Sequence, residues 1–174
     1  MLTAMSDVSR YLPLSNRERV DEAGVTGDWR AALVEVVRLA APLARTRDER
    51  AAFLVAAGLP ASDHPEFADV ADAVLAGRRV RIRSLVTATR ALLVLAGDRP
   101  VSLSATTSGA VGLYAVTRMP FERRAAIAGS SLRASDDGWT LGRGAVRAAS
   151  AREILEFVLG LRDQVPGTPA ARKL

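Results

Sequence analysis

Between Trp29 and Ala40 the apolar positions Trp29, Leu33, Val36, Val37 and Ala40 fall three to four residues apart. That is the repeat of a helix burying one stripe, and with Asp28 as its cap it predicts a helix to about Leu43. Thr46-Arg47-Asp48-Glu49 is a full capping box. It predicts an Ala-rich helix that stops at Gly58, with Pro60 just beyond. Ser15-Asn16-Arg17-Glu18 opens a shorter helix that ends at Gly24, and Asp63-His64-Pro65-Glu66 opens another to about Ala76, closed by Gly77. Residues 1–77 are thus expected to form a helical segment.

Two patterns compete over residues 78–97. Arg79-Val80-Arg81-Ile82-Arg83 alternates as a half-buried strand would, while Ile82, Leu85, Val86, Thr89, Leu92, Leu93 and Ala96 follow a helical period. The longer pattern predicts a helix over 82–96; the shorter leaves a strand as the alternative. After Gly97, runs rich in Val, Leu, Ile and Thr are separated by turn residues. Residues 100–106 and 110–116 flank Thr107-Ser108-Gly109, and 132–135 and 139–142 flank Asp136-Asp137-Gly138. The expected result is a β-meander. Ser150-Ala151-Arg152-Glu153 is a second capping box, opening a helix whose Ile154, Leu155, Val158, Leu159 and Leu161 would face the sheet. Pro166, Gly167 and Pro169 predict a disordered tail over 164–174. The fold class expected is α+β, a helical segment at 1–77 and a sheet with its helix at 78–163, together one compact domain.

With 49% apolar and 25% charged residues, this 174-residue chain can bury a core. It has no cysteine, which excludes disulfides, iron–sulfur clusters, thiolate zinc sites and thiol nucleophiles. Its one histidine, His64, excludes a multi-histidine metal site within one chain. The N-terminus lacks the basic and apolar regions of a signal peptide, and apolar runs such as 91–96 are too short to span a membrane. The expected location is cytoplasmic. The formal net charge of +5 is unevenly spread. Residues 1–76 hold 8 Arg against 12 acidic residues, a net −4; residues 77–174 hold 15 Arg and one Lys against 7 acidic residues, a net +9. Either the second half carries a face for polyanions, or the acidic half docks on it.

Residues 121–162 contain Arg123, Arg124, Gly129, Asp136, Trp139, Gly142, Gly144, Leu159, Gly160 and Arg162 at the spacing of an Arg-rich lead-in, a D-x-x-W turn, a G-x-G and a helix ending in L-G-x-R. This stretch resembles the C-terminal segment of the actinobacterial mycothiol-dependent maleylpyruvate isomerase family. The resemblance departs at Asp136-Asp137-Gly138-Trp139, where the family has D-x-D-W, and at Leu161, which separates Gly160 from Arg162. It implies a sterol-carrier-like sheet with a helix packed on it. The family's catalysis uses a metal held by three histidines in an N-terminal four-helix bundle, and no such residues are present here, so no catalytic residue carries over.

His64, before Pro65 at a helix start, reads as a surface or capping histidine. Ser102, Ser104, Thr106, Thr107 and Ser108 beside Gly109 lack a phosphate-loop pattern and read as a polar hairpin. Asp136 and Asp137 make one acidic turn, too few carboxylates for a cation cage. Gly142-Arg143-Gly144 reads as a turn. No catalytic, cofactor-binding or metal-binding residue is nominated, and no cofactor is expected. The first functional reading is a non-enzymatic interaction module that binds an apolar small molecule or a partner protein in a cleft rimmed by the sheet and final helix. The alternative is a nucleic-acid-binding protein using Arg78, Arg79, Arg81, Arg83 and Arg90. A helix over 82–96 followed by a hairpin over 100–116 would make it a winged-helix regulator.

Overall fold

The structure is a computed structural model and describes residues 27–60 and 66–167. Among these the chain forms α1 (Arg30–Ala40), α2 (Arg47–Ala57), α3 (Phe67–Ala76), α4 (Ile82–Ala96), α5 (Ala105–Arg118) and α6 (Phe121–Ala126). Then follow β1 (Ser130–Ala134), β2 (Thr140–Gly142), β3 (Ala145–Ala149) and α7 (Ala151–Val158). Seven helices and one small mixed sheet make the fold α+β. No helix of the described residues is long and apolar enough to cross a membrane. The helix expected at 15–24 and the capping role of His64 lie outside the described residues.

Local signals act where they stand in the chain. At α2, the Thr46 hydroxyl accepts from the Glu49 N–H at 3.1 Å and the Glu49 carboxylate accepts from the Thr46 N–H at 3.0 Å. At α7, Ser150 and Glu153 repeat the arrangement at 3.2 Å each way. Each box satisfies backbone donors that have no partner within their own helix. Asp28 sits one residue before the Trp29 cap position and takes a longer-range part. Its carboxylate accepts from the N–H groups of Arg30 and Val80, both at 3.2 Å, and pairs with the Arg30 guanidinium at 2.8 Å. Arg30 in turn donates to the carbonyls of Leu75 and Gly77, so the start of α1 is clamped to the α3–α4 link.

The strand alternative over 79–83 gives way to α4, whose inward residues Leu85, Ala88, Thr89, Ala91, Leu92, Leu93 and Ala96 are all buried. α4 touches α1, α2 and α5 and is the hub of the packing. The edge-to-face pair Phe53 and Phe67, with ring centroids 5.6 Å apart, closes the core between α2 and α3.

Two strand expectations are corrected. Residues 100–116 are not a hairpin: α5 occupies most of them, capped by Ser104, whose hydroxyl accepts from Thr107 N–H. Its buried positions Thr107, Ser108, Val111, Gly112 and Ala115 follow a helical period of small residues. A methyl group on Gly109 would lie 3.3 Å from the Trp139 ring, and one on Gly112 would lie 3.2 Å from Leu141. These glycines let a helix approach the sheet closely instead of marking turns.

Nor is the sheet a meander. Its strand order is β2-β1-β3, with β1 antiparallel to β2 through Leu132 opposite Leu141, and parallel to β3 through Leu132 opposite Arg147. The chain passes from β2 to β3 across the start of β1 in only two residues, Arg143 and Gly144. Two strand spacings are about 9.6 Å, and three Cα–Cα steps reach at most about 11 Å. The link must therefore run nearly straight and press against the strand it crosses. A Cβ on Gly144 would stand 2.0 Å from the Gly129 carbonyl oxygen, and one on Gly142 would stand 2.8 Å from that of Ser130.

The tail expected over 164–174 is packed against the domain at its described residues, 164–167. Arg123 pairs with Asp163, Pro166 is buried, and Gly167 lies against the Ala148 carbonyl. Residues 168–174 lie outside the described residues.

Two carboxylates are held below their ordinary values. Glu49 is lowered chiefly by the N–H groups of Thr46 and Arg45, and Asp28 chiefly by Arg30, with Val80 N–H adding to it. A folded-state pKa below the unfolded one contributes stability that is complete above the unfolded value and is lost as pH falls through the folded one. The unfolded values are 4.5 for Glu49 and 3.8 for Asp28. Thermal midpoints should therefore hold from neutral pH down to about 5 and fall below about 4. Glu49→Gln should lower the midpoint at neutral pH and flatten part of that acid loss; an acid profile identical to that of the parent would exclude this role.

Candidate functional site

α2 and α4 lie side by side and leave an open trough of about 410 Å³ between them. Ala52, Phe53 and Ala56 form one wall; Val86, Ala91, Val94 and Leu95 form the other, with Thr87, Arg90 and Glu49 at the edges. The trough exists because the α2 positions facing outward beside α4 are alanines, too short to fill the space between two helix ridges. Val94 is 60% exposed at its rim. The sequence signal for this site was visible as outward-facing apolar residues within amphipathic helices, but pairing the two faces required the α2–α4 contact.

A second hollow of about 320 Å³ lies between α4, α5 and the end of α7. Its floor includes Ala115, Met119 and Val158, and its rim carries Arg90, Arg118 and Arg123. Val86 and Arg90 line both hollows, so the two form one continuous surface. Arg123 is committed to the scaffold: it donates to the carbonyls of Phe157 and Arg162, pairs with Asp163 and lies 5.5 Å over the Phe157 ring. It ties the last turn of α7 to the segment that follows it. Arg118 lies 5.3 Å over the Tyr114 ring. Arg90 donates through Nε to the Leu159 carbonyl at 3.4 Å.

The five arginines Arg78, Arg79, Arg81, Arg83 and Arg90 are all exposed, and among the described residues none of them pairs with a carboxylate. Arg83 and Arg90 share one stripe of α4 with Thr87 and Val94, while Arg78, Arg79 and Arg81 precede the helix. The hairpin expected as a wing at 100–116 is instead mostly α5. The ion pairs Arg30–Asp28, Arg50–Glu66, Arg123–Asp163, Arg152–Glu156 and Arg162–Glu153 each join residues of the same half of the chain. The acidic half thus does not use these pairs to neutralise the basic half.

The remaining polar candidates are built into the scaffold. Glu35 of α1 takes the start of α5: its carboxylate accepts from the Ser104 N–H, the Ser104 hydroxyl at 2.9 Å and the Thr107 hydroxyl at 2.6 Å. An external anion would have to displace it. Asp137 accepts from the buried Ser108 hydroxyl, which itself accepts from Trp139 Nε1 at 2.8 Å. Asp136 accepts from Ala151 N–H at 2.7 Å and so tethers the hairpin to α7. The cavity beside them is about 80 Å³, room for roughly two waters. No group of three metal-ligating side chains occurs among the described residues.

No family model, curated protein or solved structure matches this chain. The likeness of residues 121–162 to the maleylpyruvate isomerase family therefore rests on its motif residues alone. In the structure, Arg123 and Asp136 are tied to α7 and the segment after it, Trp139 packs on α5, and Gly142 and Gly144 lie against β1 within the sheet.

Proposed function

We propose that this protein is a non-enzymatic interaction module that holds the apolar side of a partner protein in the trough between α2 and α4. The observation that carries this reading is the trough itself: about 410 Å³, walled by Ala52, Phe53, Ala56, Val86, Ala91, Val94 and Leu95, and open to solvent. An enclosed pocket suits a small molecule because it covers most of the ligand's surface. An open trough between two helices covers one side of its occupant and suits an amphipathic helix laid into it.

The test is photo-crosslinking in the native host, with a benzophenone side chain at position 94 and, as a control, at Val146, which is exposed on β3. A discrete adduct with another protein from position 94 alone supports the reading, and Ala52→Asp should abolish it. No adduct from position 94, or the same adducts from both positions, would defeat it.

A second reading is nucleic-acid binding, favoured by the exposure of Arg78, Arg79, Arg81, Arg83 and Arg90 without carboxylate partners among the described residues. It predicts oligonucleotide binding that weakens steeply between about 50 and 200 mM salt. No aromatic residue is interleaved with these arginines between 78 and 90 as a platform for stacked bases, so it ranks second.

A further inference from the structure

We propose that the partner segment is an acidic amphipathic helix, with carboxylates two turns apart that meet Arg83 and Arg90. This rests on the trough reading and names the chemistry of its occupant. Glu49 supplies the one carboxylate among the residues lining the two joined hollows, and it is taken by the N–H groups of Arg45 and Thr46. Asp163, beside the second hollow, is taken by Arg123. Arg83, Arg90 and Arg118 are exposed around the same surface, and among the described residues none of them pairs with a carboxylate. Past Val94 the surface passes into a hollow lined by Asp98 and Glu156, so its positive charge gathers at the other end, along Arg83 and Arg90.

The spacing is specific. Arg83 and Arg90 are seven residues apart on one stripe of α4, about 10.5 Å along the axis at 1.5 Å per residue. A helix lying along α4 presents carboxylates at that interval from positions i and i+7, which also share a face. Its apolar residues then fall into the trough, toward Ala52 and Ala56. Nucleic acid would answer the charge and leave the apolar walls exposed to water, so an acidic helix satisfies more of the surface.

The probes are three peptides of about 20 residues, long enough to be helical alone. They share one Leu/Ala face and differ only in Glu, Gln or Lys at i and i+7 of the polar face. Binding to the full chain is measured by fluorescence anisotropy at about 50 and 200 mM salt. The Glu peptide should bind about tenfold tighter than the Gln peptide at the lower salt, two exposed ion pairs contributing a few-fold each. That advantage should shrink at the higher salt. Arg83→Gln, at a residue that lines neither hollow, should remove a few-fold of that advantage and leave the Gln peptide's affinity and the thermal midpoint unchanged, and adding Arg90→Gln should remove the rest.

Equal binding of the Glu and Gln peptides would overturn the acidic-helix inference and keep the trough. Failure of all three peptides, together with no adduct from position 94, would overturn both. Displacement of the Glu peptide by a single-stranded oligonucleotide that binds equally well to Val94→Asp would assign the arginines to nucleic acid instead.

Discussion

Gly144→Ala should be the most damaging single-methyl change in the described chain, costing about 3 kcal/mol or more, or preventing folding altogether. Two effects add. The backbone has φ +126°, outside the range open to L side chains, and the new methyl would stand 2.0 Å from the Gly129 carbonyl oxygen. A two-residue link that has to reach across β1 cannot swing away, because its length is already nearly used. Gly138→Ala is the control: φ is +77° there, yet nothing lies within 4 Å of the added carbon. It should cost about 1–2 kcal/mol. Urea denaturation of both variants decides between them. If Gly144→Ala is no less stable than Gly138→Ala, the β2–β3 crossover described here is wrong. If it collects in the insoluble fraction while Gly138→Ala stays soluble, the same conclusion follows as from a large loss in the denaturation midpoint.

Leu92→Ala should cost about 2–5 kcal/mol, the range for deleting a buried leucine side chain whose neighbours relax only partly. Leu92 is fully buried on α4, the helix that touches α1, α2 and α5 at once. For a domain stabilised by about 5–15 kcal/mol, that is a large share of the total. Two residues on, Val94→Ala should change stability by no more than about 0.5 kcal/mol, because that side chain is 60% exposed. The pair separates scaffold from surface within one helix: the first variant should weaken the fold, the second should weaken partner capture in the trough. A small effect at Leu92 with an unchanged denaturant slope would remove α4 from the centre of the core.

The elements legible in the sequence are those whose signals are local. The capping boxes at Thr46 and Ser150 act within one turn, so their residues name the helix start whatever packs on it later. The period from Ile82 to Ala96 matches α4 from end to end, because a stripe recurring over four turns admits one geometry. The Asp136-Asp137-Gly138 turn does join an antiparallel pair, β1 and β2. At α5 the local reading fails. Thr106, Thr107, Ser108 and Gly109 carry turn and strand preferences, and these are overridden by the Ser104 cap, by Glu35 arriving from α1, and by the Trp139 ring lying against the glycines. Only the Ser104 cap is near in sequence; Glu35 and Trp139 are not.

The candidate site divides in the same way. The exposure of Arg83 and Arg90 on one stripe followed from the helical period of α4. That Val94 faces Ala52 and Ala56 across a trough did not, because it depends on which two helices lie side by side. Alone, the sequence determined helix starts, stripe directions, the absence of thiol chemistry and a basic second half, since each depends on residue type and neighbours within a few positions. Only the tertiary structure decided the strand order β2-β1-β3, the conversion of 105–118 to helix and the pairing of α2 with α4. These are long-range packing outcomes, in which burial against distant partners outweighs local preferences of a fraction of a kcal/mol per residue.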